Sequence, residues 1–141
     1  MNQNNSDARA TILVIDDDDA VREYLRQLLE EDYQVLLAEN GVVGEEVFIR
    51  RHPCVVITDI VMPDKDGLEL IPWIRKTDPT VPIICISGGG RYGNHCYLEM
   101  ASVLGAQAVL KKPFSSVHLL AAVRRALSSL TKPLGSEIAA I

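Results

Sequence analysis

The chain has 141 residues, 48% of them hydrophobic, enough to bury one core and too few for two. Its formal net charge of −5 and its lack of any basic run argue against direct nucleic-acid binding, which rests on phosphate neutralisation by Lys and Arg. The first ten residues carry no apolar signal core, and no run approaches the ~20 apolar residues that span a bilayer. No membrane contact and a cytoplasmic location are therefore expected. Cys54, Cys85 and Cys96 show no metal-ligand spacing, and the first two fall in predicted strands, which reads as small buried thiols in a reducing compartment.

Residues 1–10 are polar and predict a disordered N-terminal segment. Thr11 to Ile15 is an apolar strand that stops on four acids, Asp16 to Asp19. Val21, Leu25, Leu28 and Leu29 then recur at helical spacing, predicting a helix to about Glu31 with Asp18 or Asp19 at its start. A second strand is predicted from Tyr33 to Ala38, with Asn40-Gly41 as the turn. Val43, Val47 and Phe48 mark a second helix, weakened by Gly44 and closed before Pro53. Cys54 to Asp59 reads as a strand buried on both faces, and Asp59 ends it where Pro63 and Asp66-Gly67 force a turn.

The third helix starts near Gly67, runs through Leu68, Ile71 and Ile74 toward Asp78-Pro79, and contains Pro72, which predicts a kink or a late start. Trp73 on it reads as partial core. Pro82 to Ser87 is a fourth apolar strand, ending on a hydroxyl. Gly88-Gly89-Gly90 and Arg91 to Asn94 make a long loop before a short helix from about Tyr97 to Leu104, capped by Gly105. Ala108 to Leu110 is a fifth strand, followed by Lys111-Lys112-Pro113-Phe114. A fifth helix begins with Ser115 or Ser116 as cap, with Val117, Leu120, Val123 and Leu127 as its core stripe. Residues 131–141 form a C-terminal tail without a clear period.

Strands alternating with helices make βαβ units, hence a parallel sheet covered on both faces, with every polar strand end at one rim. Collected there are Asp16, Asp17, Asp59, Ser87 and Lys112. Two ionised carboxylates ~4 Å apart repel by about 4 kcal/mol at an effective dielectric near 20, so the cluster calls for cations. Lys112 supplies one, and a hard divalent ion that accepts oxygen ligands, Mg²⁺ first and Mn²⁺ second, supplies the rest. With Asp59 as nucleophile and Ser87 as a donor to phosphate oxygens, such a rim suits a phosphoryl group. Lys111 competes with Lys112, and the Lys-Pro-Phe register favours Lys112. His52, His95 and His118 lie on separate elements and read as solvated.

Four segments in this order, Val14-Ile15-Asp16-Asp17, Asp59-Ile60-Val61-Met62-Pro63-Asp64-Lys65-Asp66-Gly67, Ser87 and Lys112-Pro113-Phe114, resemble the receiver domain of two-component response regulators. The resemblance covers about residues 11–130. It implies an α/β, flavodoxin-like, doubly wound five-stranded parallel sheet of order 2-1-3-4-5 with five helices. It also implies Asp59 as phosphoacceptor, Asp17 and Asp59 as direct Mg²⁺ ligands, Asp16 acting through metal-bound water, and the Val61 carbonyl completing the protein ligands. Ser87 becomes the switch hydroxyl and Lys112 the phosphate-pairing cation. The implied partner is a sensor histidine kinase or a histidine phosphotransfer protein. The implied output surface, and a face for homodimers, is helix four, strand five and helix five.

Three departures from the family pattern stand out. Val109 occupies the position, three before the lysine, where the family usually has an aromatic, and Tyr92 or Tyr97 is the candidate replacement. The segment Gly88 to His95 is longer than usual, suggesting a mobile element ordered by phosphorylation. Val61 and Gly89 carry no polar side chain, which predicts slow loss of the phosphoryl group. The chain is read as a phosphoacceptor whose only chemistry is self-catalysed, not as an enzyme. It acts either alone or as the receiver part of a longer regulator. Two alternatives are a haloacid-dehalogenase-type Mg²⁺-dependent phosphohydrolase, which leaves Asp59 unused, and a pseudo-receiver that is never phosphorylated.

Overall fold

The computed structural model describes residues 9–62, 67–88 and 95–131, the side chains of 95–98 and 131 excepted. Expectations that fall on 1–8, on Pro63 to Asp66, on Gly89, on the loop through Tyr92, on the side chains of His95, Cys96 and Tyr97, and on the tail past Thr131 lie outside the described residues. Five strands and five helices alternate: β1 Thr11–Ile15, α1 Asp19–Leu29, β2 Gln34–Ala38, α2 Gly41–Arg51, β3 Val55–Asp59, α3 Gly67–Thr77, β4 Ile83–Ser87, α4 His95–Leu104, β5 Ala108–Lys111 and α5 Ser116–Thr131. The sheet has the order β2-β1-β3-β4-β5 with all pairings parallel. This is the doubly wound flavodoxin-like arrangement implied above.

Strand alternation sorts the core into two layers. Ile12, Val14, Val55, Ile57, Ile84 and Ile86 point to the side of α1 and α5, where Leu25, Leu29, Leu119 and Val123 meet them. Leu13, Ile15, Val56, Ile83 and Cys85 point to the other side, under Phe48 of α2, Leu70, Ile71 and Ile74 of α3 and Ala101 of α4. Trp73 joins this second layer edge-on to Phe48, ring centroids 5.9 Å apart. At Gly44 a Cβ would sit 2.6 Å from Ile15 Cδ1, so the glycine that weakens α2 also lets it lie close on β1.

Several expectations are corrected. The first helix stops at Leu29, with Glu30 as C-cap, rather than near Glu31. Pro72 neither delays nor interrupts α3; it lies exposed, where its missing N–H costs only the bond to the preceding turn. The fourth helix begins at His95, two residues earlier than Tyr97. Cys54 sits just ahead of β3 and is half-buried. In α5 Val117 is 70% exposed and does not belong to the core stripe. The helix buries Leu119, Ala122, Val123 and Ala126, with Leu120 and Leu127 at the margins. Ser115 is its cap, accepting the His118 N–H at 3.1 Å.

One tie joins elements at the sheet end remote from the polar rim. Arg75, in the last turn of α3, donates to the carbonyls of Val81 (2.6 Å), Gly105 (2.8 and 3.3 Å) and Asp78 (3.3 Å). Gly105 closes α4 at φ 125°, a left-handed conformation that favours glycine, and the Ala106 N–H reaches back to the Ala101 carbonyl at 2.9 Å.

Candidate functional site

The strand registers set the rim. Ile15 lies beside Thr58, Asp59 beside Ile86 and Ser87 beside Lys111, so the residues ending β1, β3, β4 and β5 share one edge. Asp16 follows β1 directly, is 1% exposed, and is held at four points. Its N–H donates to the Ala38 carbonyl at 3.1 Å, and its carbonyl accepts Arg22 Nη1 at 2.6 Å. Its Oδ1 accepts the Asp18 N–H at 2.9 Å and its Oδ2 accepts Lys112 Nζ at 3.2 Å. Asp18 turns the other way: as N-cap of α1 it accepts the Ala20 and Val21 N–H groups, and Asp19 lies in the first turn. The capping reading of these two acids holds.

Asp59 ends β3 with its side chain buried and its Oδ2 accepting Lys112 Nζ at 3.4 Å. The neighbouring Thr58 hydroxyl donates to the Asp59 carbonyl at 2.9 Å. From the far side Gly67 seals the strand end: its N–H donates to the Ile60 carbonyl at 2.6 Å, and a Cβ there would lie 2.6 Å from the Asp59 carbonyl oxygen. Only glycine permits that approach. Lys112 follows β5, its backbone N–H donating to the Ser87 carbonyl at 2.7 Å, while Lys111 is exposed. Ser87 is buried at the end of β4, and Val61, two residues past Asp59, has an exposed side chain.

One carboxylate oxygen from each of Asp16, Asp17 and Asp59 lies within 4.8 Å of the others, and among the described residues the Lys112 ammonium pairs with two of the three, Asp16 and Asp59. Burial, then the charge of Asp16, pushes the Asp59 carboxyl up to about 6 despite Lys112. Burial also raises Asp16, against the lowering effect of the Asp18 N–H and Lys112. For Lys112 burial alone would lower the ammonium, but Asp59 and Asp16 together outweigh it and hold it above its ordinary value. Three hard oxygen donors with unbalanced negative charge, one of them exposed, are a donor set that fits Mg²⁺.

The predicted site residues Asp16, Asp17, Asp59, Ser87 and Lys112 thus gather at one rim. His52, a left-handed C-cap of α2, and His118, exposed on α5, stand apart from the carboxylates. Val109 is half-buried on the layer beneath α4. The sequence reading missed Arg22, which a Coulombic count of strand-end residues passes over because it lies one turn into a helix. It missed also the tilted pair Tyr24 and Phe114, centroids 6.3 Å apart. These rings, with Ala20, Val21, Pro113 and Lys112, line an open groove of about 300 Å³ beside the carboxylates.

Residues 12–124 match the family model described as the response regulator receiver domain. Response regulator MprA of Mycobacterium leprae (strain TN) is 39% identical over 124 residues, covering 86% of this chain and 52% of that protein. The DNA-binding transcriptional regulator NtrC of Rhizobium meliloti (strain 1021) is 35% identical over 120 residues, 84% of this chain and 24% of that protein. The chain therefore spans about half the length of the first of these relatives and a quarter of the second. Among solved structures, the CheY-like receiver domain protein of Methanospirillum hungatei JF-1 superposes with a TM-score of 0.80 at 28% identity, covering 86% of this chain and 96% of that one. Vibrio cholerae chemotaxis protein CheY4 gives 0.78 at 25% identity, covering 85% and 100%. With the fold, the rim and these matches in agreement, the phosphohydrolase reading falls away, and the chain belongs to the response regulator receiver domain family of two-component signalling.

Proposed function

We propose that Asp59 accepts a phosphoryl group from a histidine kinase or histidine phosphotransfer protein in a Mg²⁺-dependent reaction, and that this switches the face formed by α4, β5 and α5. The observation that carries the reading is the single ammonium of Lys112 bridging Asp16 and Asp59 with Asp17 alongside. Asp17 and Asp59 would hold the ion directly, Asp16 through water, and the Val61 carbonyl would complete the protein ligands; Mn²⁺ is an alternative occupant. When bound, the ion spreads the charge that builds on the transferring group.

The chain's residues do the rest. An Asp59 carboxylate oxygen bonds to phosphorus as the phosphorus–nitrogen bond of the donor imidazole breaks, the nitrogen leaving with the electron pair. Lys112 moves from the two carboxylates onto a phosphoryl oxygen, and the Ser87 hydroxyl donates to another. The groove of Tyr24 and Phe114 abuts Lys112 and offers the donor protein apolar contact at the rim where Asp59 opens. On the output side, Met100 and Val103 of α4 are 48% and 86% exposed, an apolar surface for an effector or a second copy. Val109 gives this face no inward aromatic to flip.

The test is intact mass after incubation with Mg²⁺ and acetyl phosphate, beside Asp59→Asn. One phosphoryl group gained by the parent and none by the variant is the expected result. No gain by the parent, from acetyl phosphate or from a phosphorylated histidine phosphotransfer protein, leaves the pseudo-receiver reading in its place.

A further inference from the structure

Between β1 and α1 the two acids that reach the rim are held unequally. Asp16 is fixed at its N–H, carbonyl and both carboxylate oxygens, whereas Asp17 is exposed. Arg22 Nη1 donates to the Asp16 carbonyl at 2.6 Å and holds the Asp16–Asp17 peptide, while the Asp18 N–H on Asp16 Oδ1 at 2.9 Å holds the peptide after Asp17. The plane of the Asp16–Asp17 peptide fixes where the Asp17 Cα leaves the strand, and so the point from which its carboxylate projects. The other prong of the Arg22 guanidinium pairs with Asp19, whose side chain is 91% exposed, and the Arg22 side chain itself is only 15% exposed. Its backbone N–H closes the first turn of α1 on the Asp18 carbonyl at 3.0 Å. A planar fork with one prong on a backbone oxygen and one on a surface carboxylate suits Arg and not Lys.

We infer that Arg22 is a positioning residue for the metal site: by holding the Asp16 carbonyl it aims the Asp17 carboxylate at the point where the three carboxylates converge. The inference rests on the Mg²⁺ site proposed above. Partners that orient metal ligands typically account for 10- to 100-fold in metal affinity. Charge alone predicts the opposite, because removing a cation near an acidic cluster favours binding of another cation. The sign of the effect therefore separates positioning from electrostatics.

The experiment is calorimetric Mg²⁺ titration of the full chain, with the metal-free unfolding midpoint of each variant measured alongside. Arg22→Ala is expected to bind Mg²⁺ about 10-fold more weakly, with a cooperative metal-free transition retained. Arg22→Lys should recover part of the loss. Asp19→Asn, which removes only the exposed prong, should stay within about twofold of the parent. Equal or tighter Mg²⁺ binding by Arg22→Ala overturns the inference, as does an equal loss in Asp19→Asn. A parent that binds no Mg²⁺, or binds it undiminished after Asp17→Asn, overturns the metal site itself and the inference with it.

Discussion

Replacing Asp59 by Asn is expected to make the metal-free domain more stable at neutral pH while removing the phosphoacceptor. Folding moves this carboxyl from 3.8 to about 6, with burial the main cause and Asp16 the second. Each pKa unit is 1.36 kcal/mol, so a shift of about two units means that the folded state carries roughly 3 kcal/mol of penalty once the group is ionised. The folded state binds the proton more tightly, so stability falls as pH rises from about 4 through about 6 and the penalty is complete above that. Asparagine keeps the shape without the charge. With EDTA present, thermal unfolding at pH 7.5 should show Asp59→Asn ahead of the parent by ~1–3 kcal/mol, or roughly 3–10 °C. The difference should shrink toward zero near pH 4, where the parent carboxyl is already neutral. Saturating Mg²⁺ should narrow it at pH 7.5, because only the parent keeps the full ligand set. A variant no more stable than the parent at pH 7.5, or a gain of equal size at both pH values, would refute the burial-and-repulsion argument.

Lys112→Ala should leave Asp16 and Asp59 without their shared cation and cost ~1–3 kcal/mol in urea unfolding at pH 7.5. Its Mg²⁺ affinity should be kept or raised, since a cation has left the acidic cluster, while the conformational response to phosphorylation is lost, as monitored by amide exchange in α4 and β5. Gly67→Ala would drive a Cβ to 2.6 Å from the Asp59 carbonyl oxygen and 2.9 Å from Ile60 Cα, both backbone atoms that cannot step aside cheaply. A loss of ~1–3 kcal/mol is expected, with slower phosphoryl acceptance than the parent; an unchanged midpoint would show that α3 does not press on the strand end.

The sheet was legible because its strands are continuous apolar runs broken at polar residues: Asp16 follows β1 directly, and β3 and β4 end on Asp59 and Ser87. The α5 stripe was misread for a physical reason. Hydropathy favours Val117, but it stands two residues, about 200° around the helix, from the buried Leu119 and so faces away from the sheet. The face that does pack is half alanine, Ala122 and Ala126, where small size and not hydrophobicity allows close approach. Arg22 and Arg75 escaped for a related reason. Both act by hydrogen bonds to backbone oxygens, which leave no trace in side-chain pairing patterns. The acids were readable as a group, but the division of labour between Asp16 and Asp17 on one side and Asp18 on the other required the turn geometry.

The Arg75 tie anchors the C-terminal end of α4 to the remote end of the sheet. The guanidinium grips Gly105 and Val81 at the end of the sheet away from the carboxylates, whereas His95 begins the helix on the side of Ser87. A helix of ten residues is ~15 Å long, so a tilt of about 10° about the gripped end would displace its other end by nearly 3 Å. Because the grip is on main-chain oxygens, Val81 can change side chain without loosening it, whereas Gly105 cannot: at φ 125° a Cβ there would lie 2.8 Å from Arg75 Nε, so the anchor of α4 depends on that one glycine.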